Sequence, residues 1–117
     1  MRRRSTTIDK RIQKTIAFLD EALQSPGALP EIAARVGLSP SRLEHLFKVH
    51  VRLSIRAYVH ERRLRRAAEL IASTDERISQ ICYAVGFSDP SNFNHAFKKS
   101  FGMSPKEYRL ATTRTKE

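Results

Sequence analysis

The segment LPEIAARVGLSPSRLEHLFK, beginning at Leu29, returns in altered form as ISQICYAVGFSDPSNFNHAFK, beginning at Ile78. Leu29 matches Ile78, Ile32 matches Ile81, Ala33 matches Cys82, and Val36-Gly37 matches Val85-Gly86. Ser39 matches Ser88, after which one extra residue in the second copy pairs Leu43 with Phe93 and Phe47-Lys48 with Phe97-Lys98. The likeness continues through Ser54 to Tyr58 and Ser104 to Tyr108. Two copies are too few for a solenoid, whose stacked repeats bury a shared core only from about three onward. At 117 residues the chain has room for two small modules and little else.

Each copy is punctuated as helix, tight turn, second helix. Leu29, Ile32, Ala33 and Val36 recur at helical spacing, and Gly37 follows where a left-handed residue ends a helix. Ser39 then offers an N-cap, with Pro40 at the first helical position, where a missing N–H is harmless. In the second copy Gly86 ends the helix, Asp89 caps and Pro90 opens the next. The second helices are expected to bury Leu43, Leu46, Phe47 and Val51 in one copy and Phe93, Phe97 and Phe101 in the other. Ahead of the first copy, Ile8, Ile12, Ile16, Leu19 and Leu23 form a helical stripe ended by Pro26-Gly27. Ser104, Pro105 and Glu107 form a capping box that opens a short final helix through Leu110.

Ser54 to Ser73 contains no Gly or Pro and reads as one continuous helix, roughly 30 Å long at 1.5 Å per residue. Its apolar face changes side. Ile55, Tyr58 and Val59 cluster on one face, whereas Leu64, Ala67, Ala68 and Ile71 lie about half a turn away. One end therefore belongs to each module, with the helix as a strut between them. No strand-like alternation appears, so the expected fold is all-α. The expected division is a basic arm over 1–7, a first helix-turn-helix subdomain over 8–53, a linker helix over 54–73, a second subdomain over 74–111 and a tail over 112–117.

The chemistry follows from charge. Lys and Arg number 22 against 12 Asp and Glu, a net charge of +10, which makes a polyanion the natural partner. Nucleic acid comes first and an anionic membrane surface second; no apolar run approaches the roughly 20 residues of a membrane span. The N-terminal Arg2, Arg3 and Arg4 precede no apolar stretch, so no secretory signal is expected and the cluster reads as a mobile arm. One cysteine excludes an internal disulfide and fits a reducing cytosol. Cys82 itself sits at an apolar helical position and reads as a small buried hydrophobe.

Catalysis has no footing. The four histidines, His45, His50, His60 and His95, lack the paired spacing with a third ligand that a helical zinc site needs, so no metal is expected. With four glycines in all there is no phosphate-cradling loop, and there is no nucleophile elbow. Neither an enzyme nor a cofactor is expected. With Leu43 and Phe47 facing inward, Ser41, His45, Lys48 and Arg52 lie opposite, flanked by Arg42 and Glu44. The second copy presents Ser91, His95 and Lys98, flanked by Asn92, Asn94 and Lys99. Arg, Asn, Glu and His hydrogen-bond base edges, and Lys holds phosphates. One such face alone would pass for a solvated surface; two, each after a helix-Gly-turn and joined by a strut near one DNA turn long, favour helices placed in the major groove. Arg52, Arg56, Arg62, Arg63, Arg65 and Arg66 add a basic stretch that reads equally as phosphate-facing or as plain solvated surface.

The run I-x-x-I-x-x-x-V-G-F-S-D-x-S-x-F-x-x-x-F-K-K-x-F-G-x-S-P-x-x-Y-R, from Ile78 to Arg109, resembles the AraC/XylS family of bacterial transcription regulators. The first copy's I-A-x-x-V-G-L-S-x-x-x-L-x-x-x-F-K, Tyr58, and R-L-x-x-A from Arg63 to Ala67 agree, so the likeness covers about residues 8–110. The resemblance implies seven helices, two helix-turn-helix units, and binding as one asymmetric unit to successive major grooves. It implies base reading by Ser41, Arg42, Glu44, His45, Ser91, Asn92, Asn94 and His95; from their charge, Lys48, Arg52, Lys98 and Lys99 are expected on phosphates. Family members usually carry a further sensing or dimerising domain, so the chain is expected to be a small stand-alone regulator or the DNA-binding part of a longer protein. Gly is frequent where Arg52 stands, and the second copy keeps it as Gly102, which leaves open a different turn in the first module. Ala is usual at Cys82, and the small Ser41 with the acidic Glu44 leaves the first helix's base preference open.

The expected function is sequence-specific binding of double-stranded DNA as a transcription regulator, with activation as the expected mode. The alternatives are a basic helical module for protein interaction and a nonspecific DNA-binding protein. A monomer in the cytoplasm, on the nucleoid and with RNA polymerase as a further partner, completes the expectation.

Overall fold

The computed structural model describes residues 9–25 and 27–116, so Arg2, Arg3, Arg4, Ile8 and Pro26 lie outside the described residues. The elements are α1 (Lys10–Glu21), α2 (Leu29–Arg35), α3 (Pro40–Val51), α4 (Ile55–Ser73), α5 (Ile78–Ala84), α6 (Pro90–Phe101) and α7 (Pro105–Lys116). No strand occurs among the described residues. The chain forms two compact units, and the division falls inside α4, between Val59 and His60.

In the first unit, Asp9 caps α1 by accepting from the Arg11 N–H at 2.8 Å, and the Arg11 guanidinium folds back onto the same carboxylate at 2.8 Å. That pairing holds the Asp9 carboxyl well below the usual carboxylate range. Ile12, Leu19, Ile32, Ala33, Val36, Leu43, Phe47, Ile55 and Val59 form the buried core. Thr15 shares that interior; its hydroxyl donates to the Arg11 carbonyl at 2.9 Å, which removes the penalty of a buried unpaired hydroxyl. The Tyr58 hydroxyl donates to Asp20 at 2.9 Å and ties the first turns of α4 to α1, while its ring stands edge-on to Phe47.

In the second unit, Leu64, Ala67, Ala68, Ile71, Ile81, Cys82, Val85, Phe93 and Phe97 are buried together. An aromatic chain runs through it: Phe87 against Phe93, Phe93 against Phe97, and Phe97 stacked on Phe101 at 4.5 Å, with Tyr108 touching both of the last two. The first unit fills the corresponding space with Leu38, Leu43 and Val51. Arg109 secures the end of α4 and the turn after it, donating to the Ile71 carbonyl at 3.0 Å and the Glu76 carbonyl at 2.7 Å. A cation on the last carbonyls of a helix is where the helix dipole favours it. α4 thus supplies Ile55 and Val59 to one core and Leu64, Ala67, Ala68 and Ile71 to the other, as its two offset half-stripes require.

Two details differ from the sequence-based expectation. The final helix runs past Leu110 to Lys116, because neither Gly nor Pro follows Pro105 to stop it. The turn after α3 matches the turn after α6 despite the absence of glycine: Arg52 takes φ 72° and ψ 12°, and Gly102 takes φ 79° and ψ 0°. In each the backbone N–H of that residue closes on the carbonyl four residues back, Lys48 or Lys98, at 2.8 Å. Arg52 takes this left-handed conformation, which a non-glycine residue disfavours, between Val51, packed against the first core, and Ile55, buried in it.

Candidate nucleic-acid interface

The placement of α3 and α6 begins with how the preceding helices stop. After α2, the Gly37 N–H bonds the Ala34 carbonyl at 3.2 Å and the Leu38 N–H bonds the Ala33 carbonyl at 2.9 Å. After α5, the Gly86 N–H bonds Tyr83 at 3.1 Å and the Phe87 N–H bonds Cys82 at 3.0 Å. Both are Schellman closures, which need positive φ at the glycine; Gly37 has φ 73° and Gly86 φ 109°. Two residues after Gly37, and three after Gly86, the next helix is capped. Ser39 accepts from the Arg42 N–H at 3.2 Å, and Asp89 from the Ser91 N–H at 3.0 Å. The apolar residues after each glycine, Leu38 and Phe87, pack on the respective cores and fix the angle at which the second helix leaves.

With Leu43 and Phe47 fully buried, α3 exposes Ser41, Arg42, His45, Lys48 and Arg52. With Phe93 and Phe97 fully buried, α6 exposes Ser91, Asn92, Asn94, His95, Lys98 and Lys99. Each set therefore shares one outward face of one helix, as the pattern of apolar residues predicts. Lys48 lies in the last turn of α3, and Lys98 with Lys99 in the last turn of α6, where cations complement the helix dipole.

Glu44 differs from the rest. It is half-buried, and its Oε2 accepts from the Ile55 N–H at 3.4 Å, at the start of α4. The second unit caps the equivalent helix start from within: the Ser104 hydroxyl accepts from the Glu107 N–H at 3.1 Å, and Glu107 accepts from the Ser104 N–H at 2.9 Å. In the first unit Ser54 has an alanine three residues on, so it caps Ala57 at 3.0 Å, and Glu44 reaches across to supply the missing carboxylate.

The arginines of α4 are divided in their roles. Arg65 pairs with Glu61 at 3.7 Å and Arg66 with Glu69 at 3.2 Å, both exposed pairs of small energetic weight. Arg62 and Arg63 are half-buried and engaged with the fold, and burial lowers the Arg63 pKa. Arg56 is exposed. Sequence reasoning missed one residue of the outward face: Val49 is 52% exposed and lines an open cleft of about 450 Å³ with His45, Lys48 and Arg52. Counting 100° per residue from Arg42 and His45 finds it, because it falls between them on the helical circle. Among the described residues, no cluster of three His, Cys, Asp or Glu stands where it could hold a metal ion, and no helix is long and apolar enough to cross a membrane.

A glycine-closed helix, a capped second helix and an exposed face of serine, histidine and lysine, present twice and joined by arginine in the first copy and by amides in the second, define a double helix-turn-helix protein of the DNA-binding class. The family model described as "Helix-turn-helix domain" matches residues 32–111, and an AraC-type regulator structure from Chromobacterium violaceum superposes with a TM-score of 0.82 at 30% identity, covering 88% of this chain and 92% of that one. The chain belongs to the AraC-type helix-turn-helix family of DNA-binding transcription regulators. It is 33% identical over 103 residues to the arabinose operon regulatory protein of Escherichia coli K12, covering 87% of this chain and 35% of that protein. It is 32% identical over 101 residues to the transcriptional activator RhaS of Escherichia fergusonii, covering 86% and 36%. The chain spans about a third of the length of these two curated relatives.

Proposed function

We propose that the chain is the DNA-reading part of a transcription activator that sets α3 and α6 into the major groove at two half-sites about one helical turn apart. The observation that supports this most is the repetition of the capped second helix with its exposed polar face in both units. Arg42 grips a guanine edge with two hydrogen bonds, and Asn92 or Asn94 does the same for adenine. Ser41, His45, Ser91 and His95 complete the base-reading set. Glu44 joins them by giving up its hydrogen bond to Ile55. Lys48, Arg52, Lys98 and Lys99 hold phosphates at the helix ends. In this reading the chain binds as a monomer in the cytoplasm, on the nucleoid, contacts RNA polymerase and catalyses no reaction.

α4 is continuous from Ile55 to Ser73, roughly 28 Å at 1.5 Å per residue, against the 34 Å between grooves one turn apart. We take α4 to act as a stiff connector, with some DNA bending to close the difference. The test starts with selection of a preferred site from random duplex DNA. Arg42→Ala, Asn92→Ala and Asn94→Ala should each relax one base position at a cost of roughly 1–3 kcal/mol. About five base pairs inserted between the half-sites should reduce affinity to that of one unit. About ten should do the same, because a stiff helix does not reach a second groove at roughly 68 Å. Recovery at the full turn, or unchanged motifs for all three variants, refutes the mechanism.

A further inference from the structure

A single exposed valine is ordinary on a protein surface. Val49 is set apart by its surroundings. It follows Arg42 by seven residues and His45 by four, so the three share one ridge of α3. The cleft it lines is otherwise formed by His45, Lys48 and Arg52. Val49 is thus the apolar element in a strip of polar and cationic side chains, and about half of its surface faces outward. At the matching position of α6 the chain carries Lys99 instead, so nothing in the shared fold requires a hydrophobe there.

The major groove presents one apolar group, the C5 methyl of thymine. Lys48 and Arg52 flank Val49 along the helix and supply the phosphate contacts that would bring a groove floor against it. We propose that Val49 is a specificity-determining residue of the first reading helix, packing on a thymine methyl. The proposal rests on α3 being a base-reading helix. It makes the two half-sites chemically unequal: the one read by α3 is recognised partly by a hydrophobic contact, and the one read by α6 has a lysine there.

The test uses a duplex selected from a random pool by the whole chain, in which each thymine is replaced in turn by deoxyuridine, removing only the methyl. The wild-type chain should lose affinity about fourfold at one thymine, the worth of burying one methyl-sized group. Val49→Ala should be indifferent to that replacement and keep its responses elsewhere. Val49→Lys should be indifferent too, and should steepen the slope of log affinity against log salt by about 0.9 for the added cation. Circular dichroism and melting curves check that the exposed substitutions leave the fold intact. A flat deoxyuridine scan for the wild-type chain, or a methyl penalty retained in Val49→Ala, overturns the proposal. If Arg42→Ala or His45→Ala still relaxes the selected motif in that case, the base-reading role of α3 stands and the Val49 assignment alone falls. If no motif is selected at all, both fall.

Discussion

Replacing Arg52 by glycine separates what the backbone prefers from what the side chain does. Arg52 sits at φ 72°, a left-handed conformation that costs a non-glycine residue about 1–2 kcal/mol. Glycine removes that penalty but gains freedom in the unfolded chain worth about 0.4–1 kcal/mol. The backbone bond to the Lys48 carbonyl at 2.8 Å survives the change, and the side chain is exposed. The net expectation is a first unit more stable by about 0.5–1 kcal/mol, a rise of roughly 3–6 °C for a unit of this size. The reciprocal change, Gly102→Arg, should destabilise the second unit by a similar amount. No atom lies within 4 Å of a Cβ built on Gly102, so only backbone conformation opposes the side chain there. Urea and thermal unfolding followed by circular dichroism measure both. Binding should move the other way: with Arg52 on a phosphate as proposed, Arg52→Gly should lower affinity and flatten the salt slope by about 0.9. A glycine variant of unchanged or lower stability would refute the strain assignment, and an unchanged salt slope would refute the phosphate role.

Lys98→Ala should weaken binding to preferred and random DNA alike and flatten the salt slope by about 0.9, as measured by titration at several salt concentrations. The Glu107 carboxyl is held below its usual pKa by its hydrogen bond from the Ser104 N–H. Its stabilising effect is therefore complete above the unfolded glutamate value near 4.5 and lost as pH falls through the lower folded value. Glu107→Gln should accordingly be less stable than wild type at neutral pH, with the gap closing in acid unfolding curves. Burial and the nearby Asp89 push the Cys82 thiol pKa up, so a thiol reagent at pH 8 should label the native chain far more slowly than the urea-unfolded chain.

The punctuation of the two motifs was legible because its chemistry is local. Gly37 and Gly86, followed by Ser39-Pro40 and Asp89-Pro90, state a helix end and a helix start within a few residues. The change of face along α4 was legible as well, since periodicity alone places Val59 and Leu64 on different sides. What stayed hidden depends on distant neighbours. The left-handed backbone at Arg52 is one that no property of arginine announces. Glu44 finds its partner eleven residues away, across a turn, where helical periodicity carries no information. The half-burial of Arg62 and Arg63 depends on what the rest of the fold lays against them. Val49 was within reach of helical periodicity, since it falls between Arg42 and His45 on the helical circle.

The carboxylate that Glu44 lends to the start of α4 bears on how this chain could drift toward new binding sites. In the second unit Glu107 completes its own cap, so Asn94 on α6 is exposed and carries no such duty. In the proposed reading, a substitution at Asn94 changes a base contact and little else. In that same reading a substitution at Glu44 changes a base contact, and it also uncaps α4, whose first turn carries Ile55 of the first core. Mutational paths to altered specificity therefore run more freely through the second half-site. Among descendants of this sequence, the contacts of α6 should diversify sooner than position 44 of α3, which is held in place by stability as well as by recognition.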